Sequence, residues 1–343
     1  MFFRTDMGID LGTANTLIYT KDKGIILNEP SVIAIDKLNG SVMATGFEAK
    51  RMIGRTPGNI DVIRPLREGV ISDFDMTAEM IKIFIARALE GKAARNLRIS
   101  IGVPSGVTEV EKRAVEEVVR SMGAKEVYIL EEPMAAAIGS DLDVDDAEGC
   151  MICDIGGGTT DIAVIALGGI VTSMSIRYAG DKLNDAIVAY MRKTYNLAIG
   201  DKTAEELKIK IGCAMIDKDD EGNDVVKTEA ARGRNLITGL PSVVEVTNYD
   251  MLNALEESVE IIVDGIKATL EKTPPEIAAD IVNNGLVLSG GGGMLTNLDK
   301  LISERTNMKV TVQENAFEAV ALGTGKSLEN LEKLKRYACI SKR

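Results

Sequence analysis

Two segments of the chain put an aspartate, a tight glycine turn and hydroxyl or amide donors in a row: Asp10-Leu11-Gly12-Thr13-Ala14-Asn15-Thr16 and Asp154-Ile155-Gly156-Gly157-Gly158-Thr159-Thr160. Each follows an apolar run, Met7-Gly8-Ile9 or Cys150-Met151-Ile152-Cys153, and leads into a second one, Leu17-Ile18-Tyr19 or Ile162-Ala163-Val164-Ile165. Glycine lets backbone N–H groups converge on an anion with no Cβ in the way, and threonine or asparagine adds side-chain donors at the same place. A carboxylate beside a phosphate is repelled. The expected task of Asp10 and Asp154 is therefore to hold a hydrated Mg²⁺, which keeps several waters and takes few protein oxygens. A single turn of this kind would serve equally as an ordinary hairpin. Two of them predict facing loops that grip one polyphosphate from opposite sides.

A third glycine turn follows the apolar run Gly285-Leu286-Val287-Leu288, which delivers Ser289-Gly290-Gly291-Gly292-Gly293-Met294 to a helix expected over 294–305. A strand, a glycine turn and a helix N-terminus in that order make a phosphate- or nucleotide-facing turn. The alternative is a flexible linker.

Whole classes of chemistry are excluded by what the chain lacks. Histidine is absent, which removes histidine bases, Ser-His-Asp triads and histidine-ligated metals. Cys150 and Cys153 imitate a redox or zinc half-motif, but on a strand residues three apart point to opposite faces, so both are read as small core residues. A net charge of −12 and a pI near 4.8 argue against nucleic acid as a partner, and the absence of tryptophan argues against stacking platforms for single strands. With 343 residues, 45% of them hydrophobic, there is material for two cored domains. No apolar run approaches the length of a membrane span and no signal peptide is seen, so the expected setting is cytoplasmic.

The elements that must position these turns alternate between strand and helix, the pattern of α/β layers. Strands are expected at 24–27, 31–35, 99–103 and 126–130. Helices are expected at 76–89 and from a capping box at Thr108 to Glu111, with Val110, Ala114, Val118 and Met122 on one face until Gly123. A meander is expected over 150–154, 161–167 and 170–176, turning on Gly168-Gly169. Helices near 181–194 and 203–213 precede an acidic loop at 217–224, strands near 233–238 and 242–246, and a helix at 249–271 that Pro274-Pro275 ends.

These segments, with Leu27-Asn28-Glu29-Pro30-Ser31-Val32, Gly102-Val103-Pro104, Glu131-Glu132-Pro133-Met134-Ala135-Ala136-Ala137-Ile138-Gly139 and Ala204-Glu205-Glu206-Leu207-Lys208-Ile209-Lys210-Ile211-Gly212, resemble the actin-like ATPases, above all their bacterial shape-determining branch. The resemblance implies an α/β protein with the actin-like ATPase fold: two duplicated ribonuclease-H-like halves around a nucleotide cleft, each with a small outer subdomain. The first half would be 1–139, with an outer lobe at about 31–65, completed by C-terminal helices in 317–343. The second would be 140–316, with an outer lobe at about 180–240. ATP and Mg²⁺ are the implied cofactors. Phosphate loops would lie at Gly12, Thr13, Ala14 and Asn15 and at Gly156, Gly157, Gly158 and Thr159, and an adenosine loop at Gly290, Gly291, Gly292, Gly293 and Met294. Glu205 and Lys208, one helical turn apart, would contact adenosine; otherwise they are an exposed ion pair of little energetic weight.

Hydrolysis needs a group that orients a water in line with the terminal phosphate. Glu132, just before Pro133 at a helix N-terminus, is the expected group, with Thr159 or Thr160 helping to fix the water or the phosphate. The alternative is that Glu131 and Glu132 both simply cap the helix. Asp161 stands where relatives often carry Glu. The implied function is a slow, polymerisation-coupled ATPase that assembles with itself into filaments governing cell shape. Its other implied partners are the inner face of the cell membrane and membrane proteins of the wall-elongation machinery. A chaperone-type ATPase and a sugar or acid kinase share the same superfold and remain alternatives. Phe2, Phe3, Leu97 and the basic residues Lys333, Lys335, Arg336, Lys342 and Arg343 are the expected membrane contacts, the last five being equally readable as a solvated helix end.

Overall fold

A computed structural model of the chain describes residues 5–90 and 96–338. Phe2, Phe3, Lys342 and Arg343 lie outside the described residues. Two five-stranded sheets organise the molecule. Across its width the first runs Ala124–Glu131, Leu97–Val103, Thr5–Leu11, Asn15–Thr20, Gly24–Pro30, and the second runs Val310–Val312, Leu286–Ser289, Cys150–Ile155, Thr160–Ala166, Gly169–Ile176. In both, three consecutive strands form an antiparallel meander, and two later strands add in parallel beyond its first strand. The same order with the same senses makes the two halves a duplication.

Burial follows from strand alternation. Every residue of Thr160–Ala166 is buried. Ile162 and Val164 join one core with Leu183, Val259 and Ile302, while Ala163 and Ile165 join another with Leu130, Ala136 and Val320. Cys153 belongs to the former and Cys150 packs against the latter, so the two thiols face opposite ways as their spacing requires.

The second of those cores is the seam between the halves. It contains the helices Glu132–Gly139 and Ala319–Ser327, each of which follows the last strand of its own sheet. Their contact is reciprocal: a Cβ on Gly139 would fall inside Ala319 O, and a Cβ on Gly323 inside Ala135 O. Small residues four apart on each helix let the backbones touch, and Ala135/Gly139 corresponds to Ala319/Gly323 under the duplication.

Each half also carries a three-stranded sheet. One comprises Ile33–Asp36, Val42–Thr45 and Ile60–Ile63 beside the helix Phe47–Met52; the other comprises Leu197–Ala198, Thr228–Asn235 and Pro241–Thr247 beside the helices Gly180–Tyr195 and Asp201–Ile211. The last strand of the latter lies beyond the limit at 240 expected for that lobe.

Several expectations shift. The meander turns on Leu167-Gly168, both at positive φ, one residue before the expected pair. The helix Glu109–Ser121 buries Val115, Val118 and Val119 and leaves Val110 exposed, because its inner face is set by the sheet beneath it. The strand expected at 233–238 runs Thr228–Asn235, since Asn235 Oδ1 accepts from the N–H groups of Ile237 and Thr238 and folds them into a turn. The helix expected from 294 is a short 3₁₀ turn at Gly292–Met294, and the α-helix spans Leu298–Thr306. Leu97 is wholly buried in its strand, which removes it as a membrane contact.

Candidate functional site

A cavity of about 490 Å³ lies between the halves, lined by all three glycine turns. The first two meet directly: a Cβ on Gly157 would sit 2.6 Å from Ala14 Cβ, and one on Gly158 would sit 2.9 Å from Thr13 Cβ. Glycine is required there because two backbones approach from opposite halves. Thr13 Oγ1 accepts from Gly69 N at 3.0 Å, which leaves its proton free to donate. Asn15 lines the cavity and gives one of its two amide protons to Asn28 Oδ1 at 2.9 Å.

Asp10 and Asp154 are the next-to-last residues of the first strand of each meander and face the cavity. The protein packed around Asp10 holds its pKa up to about 8, with Asp154's charge adding to the effect. Burial raises Asp154 to about 7, partly offset by Ser289, whose hydroxyl donates to Asp154 Oδ1 at 2.6 Å. Glu132 sits at the start of its helix, is 8% exposed and lines the cavity. Its pKa is driven well up, first by burial and then by the charges of Asp161, Asp10 and Asp154. Glu131 is the residue before the helix and makes no side-chain cap. Of the two threonines only Thr159 faces the cavity. Thr160 is wholly buried with its hydroxyl donated to Tyr178 O at 2.8 Å, which takes that hydroxyl away from the cavity. Alternation along the strand it begins sends it to the far side. Asp161 ties the halves together, its Oδ1 accepting from Ser105 N at 2.9 Å; burial raises its pKa to about 6.

At the other end of the cavity lie Gly290, Gly291, Gly292 and Met294, with Gly293 behind the lining. Glu205 and Lys208 are both there. Lys208 Nζ donates to Gly180 O at 2.8 Å, and Gly180 N in turn donates to Gly156 O at 3.0 Å, so this lysine braces the second glycine turn. Burial lowers its pKa. Glu205 meets Lys50 of the opposite outer lobe at 2.8 Å. Gly180, Asp181, Asn184, Ile209 and Phe317 are among the lining residues not expected from the sequence. Gly180 and Asp181 begin a helix just after a strand, a placement that would have pointed to them; Ile209 and Phe317 look like ordinary apolar residues.

Charge tests the fit of a metal. Five carboxylates line the cavity, from Asp10, Glu132, Asp154, Asp181 and Glu205, against one lysine, Lys208. A polyphosphate would bring further negative charge to this acidic set, which a cation would offset. Among the described residues no cluster of three or more ligating side chains could cage one. Two facing aspartates suit an ion that keeps its waters and takes phosphate oxygens, which is Mg²⁺ chemistry.

A family model described as MreB/Mbl protein matches residues 4–336. The chain is 48% identical over 332 residues to the cell shape-determining protein Mbl of Bacillus subtilis (strain 168), covering 97% of this chain and 98% of that one. MreB 5 of Spiroplasma citri bound to AMPPNP superimposes with a TM-score of 0.91 at 35% identity, covering 97% of this chain and 98% of that chain. The same protein bound to ADP gives 0.90 at 36%, with the same coverage. A chain of the MamK double helical filament, 22% identical, shares the fold with a TM-score of 0.79 over 96% of this chain and 99% of that chain. The duplicated sheets and the cleft between them are the actin-like ATPase fold.

Proposed function

The chain belongs to the MreB/Mbl family, and from that membership we propose that it binds and hydrolyses ATP with Mg²⁺ and polymerises into membrane-associated filaments that govern cell shape and position the wall-elongation machinery. The observation that carries the reading is the direct approach of Gly157 to Ala14 and Gly158 to Thr13 at one end of a 490 Å³ cavity. Two converging sets of backbone donors suit the β- and γ-phosphates of one nucleotide, and the Gly290–Gly292 turn suits its nucleoside. Mg²⁺ would be held through water by Asp10 and Asp154 and would neutralise phosphate charge. The remaining work falls to the protein: Glu132 orients a water in line with the terminal phosphate, and Thr159 holds that phosphate. Phosphoryl transfer needs little more than such positioning and charge neutralisation, which is compatible with a slow reaction.

Self-association is supported by the filament that a protein of the same fold forms, and head-to-tail contacts that do not close give open protofilaments. Names of relatives speak for cell shape, and so favour the filament over a chaperone or a sugar kinase. Among the described residues no helix is long and apolar enough to cross a membrane, so attachment is peripheral in this reading. Sedimentation tests the whole: the protein should pellet with ATP and Mg²⁺ and stay in the supernatant with EDTA, and a nucleotide-indifferent pellet or none at all would reject filament formation.

A further inference from the structure

The duplication makes Asp10 and Asp154 equivalent, yet their surroundings differ at one place. Asp10 lies beside Gly102 in the parallel neighbour strand, and Asp154 lies beside Ser289 in its own. Ser289 is wholly buried and its Oγ is 2.6 Å from Asp154 Oδ1. Being ionised or not, that carboxyl has one oxygen fixed. No such hydroxyl fits the first half: a Cβ on Gly102 would lie 2.9 Å from Val320 Cγ1 and 3.4 Å from Glu132 Cγ. The room taken by serine in one half is filled in the other by Val320, with Glu132 beside it.

We propose that Ser289 is a positioning residue for the metal-bound nucleotide, setting the Asp154 carboxylate in one orientation and making it the preorganised anchor of the pair, while Asp10 adjusts. Ser289 is also the last residue of its strand before the Gly290–Gly292 turn. The same side chain therefore joins the metal end of the cavity to its nucleoside end. Groups behind a metal-facing ligand act by restricting its rotamers, and their loss weakens metal affinity more than it disturbs the fold. The inference rests on the nucleotide reading above and deepens it.

The test is calorimetric titration of the full chain with AMPPNP across a series of Mg²⁺ concentrations and in EDTA. For Ser289→Ala the Mg²⁺ concentration giving half the maximal affinity should rise roughly tenfold, the scale for an outer-shell partner. Affinity in EDTA and the unfolding midpoint without nucleotide should stay at wild-type values. In an Asp154→Ala background the same change should add nothing, because the residue it acts through is gone. A wild-type half-point, an equal loss with and without Mg²⁺, or an additive effect on Asp154→Ala would each overturn the proposal. If the wild-type protein itself binds AMPPNP with no Mg²⁺ dependence, the nucleotide reading fails and this inference with it.

Discussion

Lys50 and Glu205 are separated by 155 residues in the chain and lie 2.8 Å apart, joining the two outer lobes above the cavity. Each is about a third exposed, at 29% and 32%. A pair in that setting contributes roughly 0.2–1 kcal/mol. Because it ties Glu205, which lines the cavity, to the opposite lobe, that energy should appear as resistance to opening. Lys50→Ala should raise the dissociation rate of a fluorescent ATP analogue up to about fivefold, with a global stability change below about 1 kcal/mol. An unchanged dissociation rate in stopped flow would show that the pair does not gate the cleft.

Glu132 is buried, faces the cavity and is the carboxylate assigned to the water. Glu132→Ala should bind AMPPNP normally and release phosphate from ATP roughly 10²-fold more slowly, the scale of a lost general-base or water-positioning group. Thr160→Val should be close to neutral by comparison, since its hydroxyl is spent on Tyr178 O. Wild-type turnover in the Glu132 variant would reassign the water.

Stability of the nucleotide-free protein should depend on pH in a defined direction. Asp10 and Asp154 hold their protons up to about 8 and about 7 in the fold, against 3.8 for an ordinary aspartate. The folded state therefore binds more protons than the unfolded chain between these values. The stabilisation is complete below about 3.8 and is lost as pH rises through about 7 and about 8. In EDTA, the urea midpoint should fall between roughly pH 5 and 8, and Asp10→Asn or Asp154→Asn should flatten the decline. A slope identical in wild type and variants would assign the pH dependence elsewhere.

The seam helices leave no room at Gly323. Gly323→Ala should cost about 1–3 kcal/mol or more, because the added methyl meets Ala135 O and neither backbone can yield alone. Gly58→Ala, where nothing lies within 4 Å of an added Cβ, serves as the control and should leave the urea midpoint near its wild-type value.

Membrane attachment should depend on Phe2 and Phe3 more than on the basic tail. Lys333 and Arg336 are engaged with Asp145, and of the described tail residues Lys335 is left to meet lipid. A cation near an anionic surface contributes on the order of 1 kcal/mol. Phe2→Ser with Phe3→Ser should abolish co-sedimentation of filaments with phosphatidylglycerol vesicles, and Lys335→Ala should weaken it modestly and only at low salt. Binding that survives loss of both phenylalanines would move the contact to another surface.

The local chemistry was legible in the sequence because it depends on short-range rules. Asp-Gly turns at strand ends, the Thr108 capping box and the opposed thiols of Cys150 and Cys153 each follow from backbone geometry over a few residues, and all occur. The preference for Glu132 over Glu131 came instead from the resemblance to the actin-like ATPases. What the tertiary structure alone decided is long-range. That Asn15 would give an amide proton to Asn28, that Thr160 would turn to Tyr178 and that Leu97 would be buried depend on which strands become neighbours. The duplication is written in strand order and sense, which residue identity does not preserve: Asp154 is backed by Ser289 while its counterpart Asp10 is backed by Gly102. Lys50 and Glu205 show the same limit, since a contact across 155 residues exists only once two separately cored lobes have closed on one cavity.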